Sequence, residues 1–370
     1  MKVGFDHQIF LLQKFGGISR YFVELINALS EMGVDSTVVA PFYKNHYLSD
    51  LSGSVVVGRK VGSLLGRSDR LISYYNRRVT ERRLRDSAFD VWHETYYGFG
   101  VDRPIGQKSV LTVYDMIHEK FPADFPENDR TISNKRAAVL NSDRIIAISH
   151  STKKDLCEIL GVNPDKVDVV HLGFADFKRN AGETFASPAA GRPFLLYVGN
   201  RGGYKNFKGL LQAFASSPTL REAFDLIAFG GGAFDQAEID LIGSLGLRTD
   251  RVRQLAGSDA LLGDLYRHAR AFVYPSRYEG FGLPPLEAMA HDCPVVVSNT
   301  SSLPEVVGDA GVYFDPENLD QMISAIDQVV HDDDLRKTLV ERGRRRLQAF
   351  TWRACAAGTL ASYRQCIEGE

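Results

Sequence analysis

Metal-ligand clusters, a disulfide framework, long apolar runs and internal repeats are all missing from this chain of 370 residues, and each gap removes a class of function. Its four cysteines, Cys157, Cys293, Cys355 and Cys366, have neither metal-ligand spacing nor disulfide density, so they read as buried small residues in a reducing compartment. No window reaches the roughly 18 apolar residues of a membrane span. The opening "MKVGFDHQIF" places Asp6 and His7 where a signal peptide needs its apolar stretch, so the expected location is the cytoplasm. A net charge of -2 points to no charged partner, and no nucleic acid is expected. Gly230, Gly231 and Gly232 do not make a GxGxxG fingerprint, which leaves no ground for a nicotinamide site.

One local charge imbalance stands out. From Arg59 to Arg85 nine Lys/Arg face two acids, with Leu64, Leu65, Leu71, Ile72, Tyr74 and Tyr75 interleaved. Two readings stay open for it: a surface helix at an anionic membrane, or a solvated basic helix packed by its Leu/Ile side. The acidic run Asp332, Asp333 and Asp334 reads as the N-cap and first turn of the helix "LRKTLVERGRRRLQAF" rather than as metal ligands. Neither a metal nor a cofactor is expected.

What is present is a long alternation of short apolar runs and amphipathic segments, the pattern of parallel strands joined by crossover helices. In the first half the strands are "KVGF", "DSTVVAP", "DVWHE", "SVLTVYD", "RIIAIS" and "VDVVHLG", with helices such as "SRYFVELINALSEMG" and "STKKDLCEILG" ending at Gly33 and Gly161. In the second they are "PFLLYVGN", "FDLIAFGG", "VRQLA", "AFVYP", "PVVVSN" and "GVYFD". Periodicity lapses in "FKRNAGETFASPAAGR", which reads as a linker. The length suits two domains of roughly 150–200 residues each, and doubly wound sheets bind ligands beyond the carboxyl ends of their strands.

In "RYEGFGLPPLEAMA", Glu279 and Glu287 stand eight positions apart and suggest an acid–base pair. Pro284 and Pro285 belong in a first helical turn, which puts Glu287 on a helix and Glu279 in the loop before it. Gly280 and Gly282 let the backbone approach a ligand, and a helix start attracts an anion. An anion flanked by hydroxyl-binding carboxylates describes a nucleotide sugar.

The longer stretch "YPSRYEGFGLPPLEAMA", with "LYRHARAFVYPS" before it and "SNTSSLPEVVGDAGVYFDP" after, resembles the signature region of the retaining glycosyltransferases of family 4. The resemblance implies an α/β GT-B fold, two Rossmann-like doubly wound domains facing a central cleft. The boundaries are 1–176 for an acceptor domain, 177–192 for the linker, 193–350 for a nucleotide-sugar domain, and 351–370 for a terminal helix returning to the first domain. It implies that Glu287 meets the ribose, that Glu279 meets the donor sugar, that Phe281, Gly282 and Leu283 offer N–H groups to sugar and phosphate, and that Gly280 lies against the donor.

"LLYVGNRGGYKNF" resembles the family segment that supplies cations to the diphosphate. Gly199 lies in it, Lys205 matches the family lysine, Tyr204 stands where an arginine is common, and Arg201 is a candidate substitute. "FGGISRYFVELINAL" resembles the glycine loop after the first strand, which brings Gly16 and Gly17 to donor phosphate. Arg20 reads either as an anion ligand for the acceptor or as a surface charge. In "LTVYDMIHEKFP" Tyr114 occupies the place of a sugar-contacting histidine, beside Asp115, and His118 is a possible compensator. His93, Glu94, Tyr96 and Tyr97 read as an acceptor-binding set or as packed core.

These segments are similar to those of bacterial mannosyltransferases of O-antigen, capsule and exopolysaccharide assembly. The expected activity is metal-independent, retaining transfer from a nucleotide sugar, GDP-mannose by resemblance with UDP- and dTDP-sugars as alternatives. The acceptor is a glycan or lipid-linked glycan in lipopolysaccharide or other polysaccharide biosynthesis, met at the inner face of the membrane. A nucleotide-sugar epimerase of the same fold and a sugar-binding protein of the periplasmic type are the rival readings.

Overall fold

The computed structural model describes residues 1–62, 69–98, 102–174 and 191–369. Most of the expected linker, and Leu64 and Leu65 of the basic segment, lie outside the described residues. Two compact units emerge. The first comprises Met1–Glu119, Phe125–Gly173 and Phe350–Glu370, the second Lys120–Asp124 and Phe174–Ala349.

The first unit is built on a parallel sheet. Its strands are β1 (Lys2–Phe5), β2 (Asp35–Tyr43), β3 (Val56–Lys60), β4 (Val91–Glu94), β5 (Ser109–Val113), β6 (Arg144–Ala147) and β7 (Val167–Val169), in the order β3-β2-β1-β4-β5-β6-β7. The second unit carries β8 (Phe194–Val198), β9 (Asp225–Phe229), β10 (Val252–Leu255), β11 (Ala271–Tyr274), β12 (Val295–Ser298) and β13 (Gly311–Phe314), in the order β10-β9-β8-β11-β12-β13. All twelve strands expected from the apolar runs are there. The sequence reading missed β3, because its second half, "GRK", is exposed and basic and lacks the apolar continuity of a buried parallel strand.

Both sheets reverse direction at one place, between β1 and β4 in the first and between β8 and β11 in the second. Strands succeeding one another in sequence run outward from these points, so the loops after β1 and β4, and those after β8 and β11, part and leave room at the carboxyl edge.

Helices cover both sheets by burying one face. Gly17–Glu31 buries Tyr21, Phe22, Leu25, Ile26 and Leu29. The helix Asp69–Asp86 in the basic segment buries Ile72, Asn76, Thr80 and Leu84, a strict four-residue repeat, and Asn76 bonds both the N–H and the carbonyl of Phe42 in β2. Leu71, Tyr74 and Tyr75 stay exposed. Asp332 caps the helix Asp333–Leu347 by accepting from the N–H groups of Asp334 and Leu335. Among the described residues no helix is long and apolar enough to cross a membrane.

The last helix, Trp352–Glu368, belongs to the first unit. It packs on Gly17–Glu31, and the Tyr363 hydroxyl meets His93 Nδ1 at 2.6 Å. Gly173 sits against its first residue: a Cβ there would come within 2.4 Å of Trp352 Cδ2 and 2.7 Å of its Cα. A Gly173→Ala variant should lose about 1–3 kcal/mol through overpacking, read from the urea midpoint followed by tryptophan fluorescence; an unchanged midpoint would show that the contact yields freely.

Candidate functional site

In the second unit the chemistry gathers where the sheet parts. β8, fully buried, delivers the chain through Gly199 to the tight turn Gly203–Lys205. β11 delivers it to the loop holding Glu279. Lys205 Nζ lies 2.7 Å from Glu279 Oε1 and 3.0 Å from Oε2, and it also approaches the Tyr274 hydroxyl at 3.3 Å. The pair is largely buried, with 16% and 9% of the two side chains exposed. At that depth each charge depends on its partner, since an unpaired buried charge is expensive. Tyr204 and Tyr274 lend ring faces to the ammonium at 5.2 and 5.6 Å. Burial and the Glu279 charge push the Tyr274 phenol well above its usual range, so it remains a protonated donor.

The loop from Glu279 to Gly282 is pinned from the side. Ser301 Oγ accepts the Glu279 N–H at 2.9 Å, and the Ser302 hydroxyl donates to the carbonyls of Glu279 and Phe281 at 2.9 and 2.8 Å. Gly282 follows at φ 106°, a left-handed conformation that favours glycine, and begins the helix Leu283–Ala290 with no side-chain cap. Pro284 and Pro285 have no N–H, which restricts the donors of this helix start to the stretch before them. Glu287, on the same helix and half-buried, accepts from the Tyr266 hydroxyl at 3.1 Å. Ser301 and Ser302 lie after β12 in the sequence, and only folding puts them beside Glu279.

Arg201 requires a correction. Its Nε and Nη2 bind the Glu238 carboxylate at 2.6 and 3.0 Å, Nη1 bonds the Gly230 carbonyl at 2.7 Å and Nη2 that of Ala233 at 3.0 Å. With 4% of its side chain exposed, it holds the turn after β9 rather than offering a charge to phosphate. Lys205 is thus the cation of this loop. The segment Lys120–Asp124 joins the same unit: Asp124 Oδ2 accepts the Tyr204 N–H at 2.9 Å, and Lys120 lies over the Tyr278 ring.

In the first unit the acceptor set separates by burial. His93 is wholly buried between the Tyr363 hydroxyl and Thr112 Oγ1 at 2.8 Å, and burial lowers its pKa to about 3, so it is a neutral core histidine. Tyr114 is corrected likewise. Its N–H donates to the Tyr97 hydroxyl and its own hydroxyl to the Thr95 carbonyl, each at 3.0 Å, which spends Tyr114 on the core, while Tyr97, also buried, lines a cavity beside Tyr96. Tyr96 remains half-buried, its ring 4.8 Å from that of Tyr97. His118 stacks on Phe125 at 3.7 Å, with Nε2 3.7 Å from Asp129. Arg20 lies 4.0 Å from Glu24 on the exposed side of its helix. Gly16 is that helix's N-cap, and Gly17 has open space where a Cβ would be. Asp115, 27% exposed, accepts the Ile117 N–H at 3.0 Å.

Two buried polar centres of this unit escaped the sequence reading. Asp6 accepts from the Gln8 N–H and Nε2 at 3.0 and 2.6 Å and from Thr95, tying the loops after β1 and β4 together. Lys135, fully buried, donates to the Asp115 carbonyl at 2.9 Å and to Glu119 Oε2 at 2.8 Å. In "SNKRAAVLN" it looks like any solvated helical lysine.

Glu94 is buried near Asp6, and its carboxyl is pushed up to about 7, mainly by burial and secondly by Asp6, against a weaker pull from Arg103. The folded chain therefore keeps a proton that the unfolded chain releases at about 4.5, and stability falls as pH rises from about 4.5 through 7. Glu94→Gln should match wild type near pH 4.5 and exceed it by ~3 kcal/mol at pH 8, measured by denaturation across pH. Equal stability at pH 8 would refute the burial account. Lys135→Met should cost about 3–5 kcal/mol by leaving Glu119 unpaired, and Lys135→Met with Glu119→Gln should recover most of it.

Comparison with known proteins gives the same division of the chain. Residues 15–175 match the family model Glycosyltransferase Family 4, and residues 183–346 match Glycosyl transferases group 1. The O-antigen chain mannosyltransferase B of Escherichia coli is 29% identical over 368 residues, covering 94% of this chain and 96% of that relative. Sucrose-phosphate synthase from Thermosynechococcus elongatus shares the fold with a TM-score of 0.74 at 22% identity, over 98% of each chain. HepE of Anabaena, solved in complex with UDP-glucose, shares it at 0.69 and 18% identity, over 98% of this chain and all of that one.

Proposed function

As the chain belongs to the family 4 glycosyltransferases of the GT-B fold, we propose that the Lys205–Glu279 pair is its donor-sugar and diphosphate site. In this reading the enzyme moves a hexose from a nucleoside-diphosphate sugar to a glycan or lipid-linked glycan, with retention at the anomeric carbon. The supporting observation is the place of the pair: a buried cation and carboxylate at the point where the second sheet parts, beside an uncapped helix start.

Lys205 neutralises the diphosphate as the glycosidic bond to it breaks, and the N–H groups around Gly282 share the growing charge. Glu279, released from part of its lysine contact, accepts hydroxyl hydrogen bonds from the sugar. Glu287 accepts from the ribose while Tyr266 holds its other side. The acceptor hydroxyl attacks the anomeric carbon on the face the diphosphate leaves, and its proton passes to a departing phosphate oxygen. No protein nucleophile and no divalent ion enters this scheme. The Glu279–Glu287 spacing serves two ends of one donor.

Two donor readings each have an observation behind them. The HepE structure of the same fold holds UDP-glucose, which supports a UDP- or dTDP-sugar. The Escherichia coli relative is named a mannosyltransferase, which supports GDP-mannose. The donor that raises the melting temperature most in a panel of UDP-, dTDP- and GDP-sugars identifies the base, because a ligand of the folded state stabilises it by RT ln(1 + [L]/Kd).

Lys205→Ala should lower kcat at least 100-fold, the ~3 kcal/mol of a lost transition-state donor. Lys205→Met combined with Glu279→Gln removes both charges and so folds without a buried orphan, yet should stay inactive. Near-wild-type turnover in either protein sinks the assignment. Peripheral membrane association rests on Leu71, Tyr74 and Tyr75, exposed on a basic helix. Flotation with anionic vesicles at low salt should be lost in Leu71→Glu/Tyr75→Glu, and absence of binding in the parent protein removes this part of the proposal.

A further inference from the structure

The turn that carries Lys205 is held by a piece of chain from far away in the sequence. After Glu119 five residues, Lys120–Asp124, leave the first unit and count with the second. They end in the short turn Pro122–Asp124, closed by the Asp124 N–H on the Phe121 carbonyl at 3.0 Å. Three features tie this strap to the loops around Lys205 and Glu279.

The first is a backbone hydrogen bond. A turn as short as Gly203–Lys205 cannot satisfy its own leading N–H groups, and Gly202, at its N-cap, has no side chain to offer. The Lys205 N–H reaches the Gly202 carbonyl and the Asn206 N–H that of Gly203, each at 3.1 Å, whereas the Tyr204 N–H goes to Asp124 Oδ2 at 2.9 Å. A carboxylate 80 positions away thus takes the place of a capping side chain.

The second is the shape of the turn. Gly203 stands at φ 50°, in the left-handed region, and a Cβ there would overlap the Asp124 carboxylate. Bare backbone on this side of the turn is what admits Asp124 to the Tyr204 amide.

The third is ring packing. Phe121 lies 5.7 Å from the Tyr204 ring and 6.2 Å from that of Tyr278, and Lys120 Nζ covers the Tyr278 ring at 4.9 Å. Tyr204 is therefore held both by its amide and by its ring, and the same ring faces the Lys205 ammonium at 5.2 Å. The strap grips the residues that directly precede Lys205 and Glu279 in the chain.

We propose that Asp124 is a positioning residue for Lys205: through the Tyr204 amide it fixes the turn so that the ammonium meets the diphosphate of the donor. The proposal rests on the donor-site reading of Lys205 and adds to it a residue from the first half of the chain. A bare charge effect has the opposite sign. Asp124 is an exposed anion beside the turn that receives an anionic ligand, so if only its charge mattered, its removal would tighten diphosphate binding. Positioning requires weaker binding. The loss is greatest for the free nucleoside diphosphate, which carries more charge than the same group esterified to a sugar and so depends more on Lys205.

The test is calorimetry on the full-length protein with UDP, dTDP and GDP, and with UDP-glucose, dTDP-glucose and GDP-mannose; cooperative urea unfolding shows that each variant is folded. For the diphosphate that binds the parent protein most tightly, Lys205→Ala should weaken binding at least ~10-fold. Asp124→Ala should weaken it about fivefold, ~1 kcal/mol, with a smaller loss for the nucleotide sugar of the same base. Asp124→Asn keeps an acceptor oxygen and should bind at least as tightly as the parent. In Asp124→Ala/Lys205→Ala the loss should equal that of Lys205→Ala alone, because Asp124 then has nothing left to position. Undiminished binding in Asp124→Ala beside impaired Lys205→Ala overturns the positioning role and leaves the donor site standing. So does a loss that adds in full to that of Lys205→Ala, or one shared equally by Asp124→Asn. Nucleotide binding that ignores Lys205, or none by the parent protein, defeats the donor-site reading and this role with it.

Discussion

A parallel strand has every backbone group committed to its neighbours and both faces buried, so it can present chemistry only where it ends. This constraint organises both units. β8 and β11 are buried throughout, as are β4 and β5, and the side chains able to do polar work follow them: Lys205, Glu279, Tyr96 and Asp115. Where strand order reverses, the departing loops cannot close over one another, and the space left is the site. The buried Lys205–Glu279 pair of the second unit and the cavity beside Tyr96 in the first are two outcomes of one topological rule.

Within that space, electrostatics decides which groups are available. Lys205 and Glu279 neutralise each other while exposed enough to exchange partners with a charged ligand. Arg201, only a few residues earlier, is equally charged but is used up by one carboxylate and two carbonyls. Lys135 and Glu119 form a pair as close as that of Lys205, yet are buried almost completely, and hold the end of β5 in place. Charge alone therefore identifies nothing; its remaining hydrogen-bond capacity and its access to a ligand do.

The fold was largely legible in the sequence because its signals are local. Apolar runs of a few residues gave twelve of the strands, and glycine and aspartate marked helix ends at Gly33, Gly161 and Asp332. The strand that was missed, Val56–Lys60, has an exposed basic half, where the burial signal disappears. The turn from the loop of Glu279 into the helix of Glu287 was legible too, through Gly282 and the two prolines that follow it. His93 and Tyr114 could not be placed from the sequence for a physical reason: they end or follow strands, as site residues do, and nothing in their neighbours tells whether the side chain turns to the core or to the edge.

The sequence by itself determined the two-unit α/β architecture, the strand content and the glycine-proline loop carrying both glutamates, because strand, helix and turn preferences are written in adjacent residues. Only the tertiary structure decided which polar groups are spent. Lys205 meets Glu279 across 74 positions, Ser302 reaches Phe281 from the next loop, and His93 is enclosed by Tyr363 from 270 positions away. Whether a side chain is a ligand or a rivet depends on such distant partners, and a hydrogen bond made across the fold leaves no trace in the residues beside it.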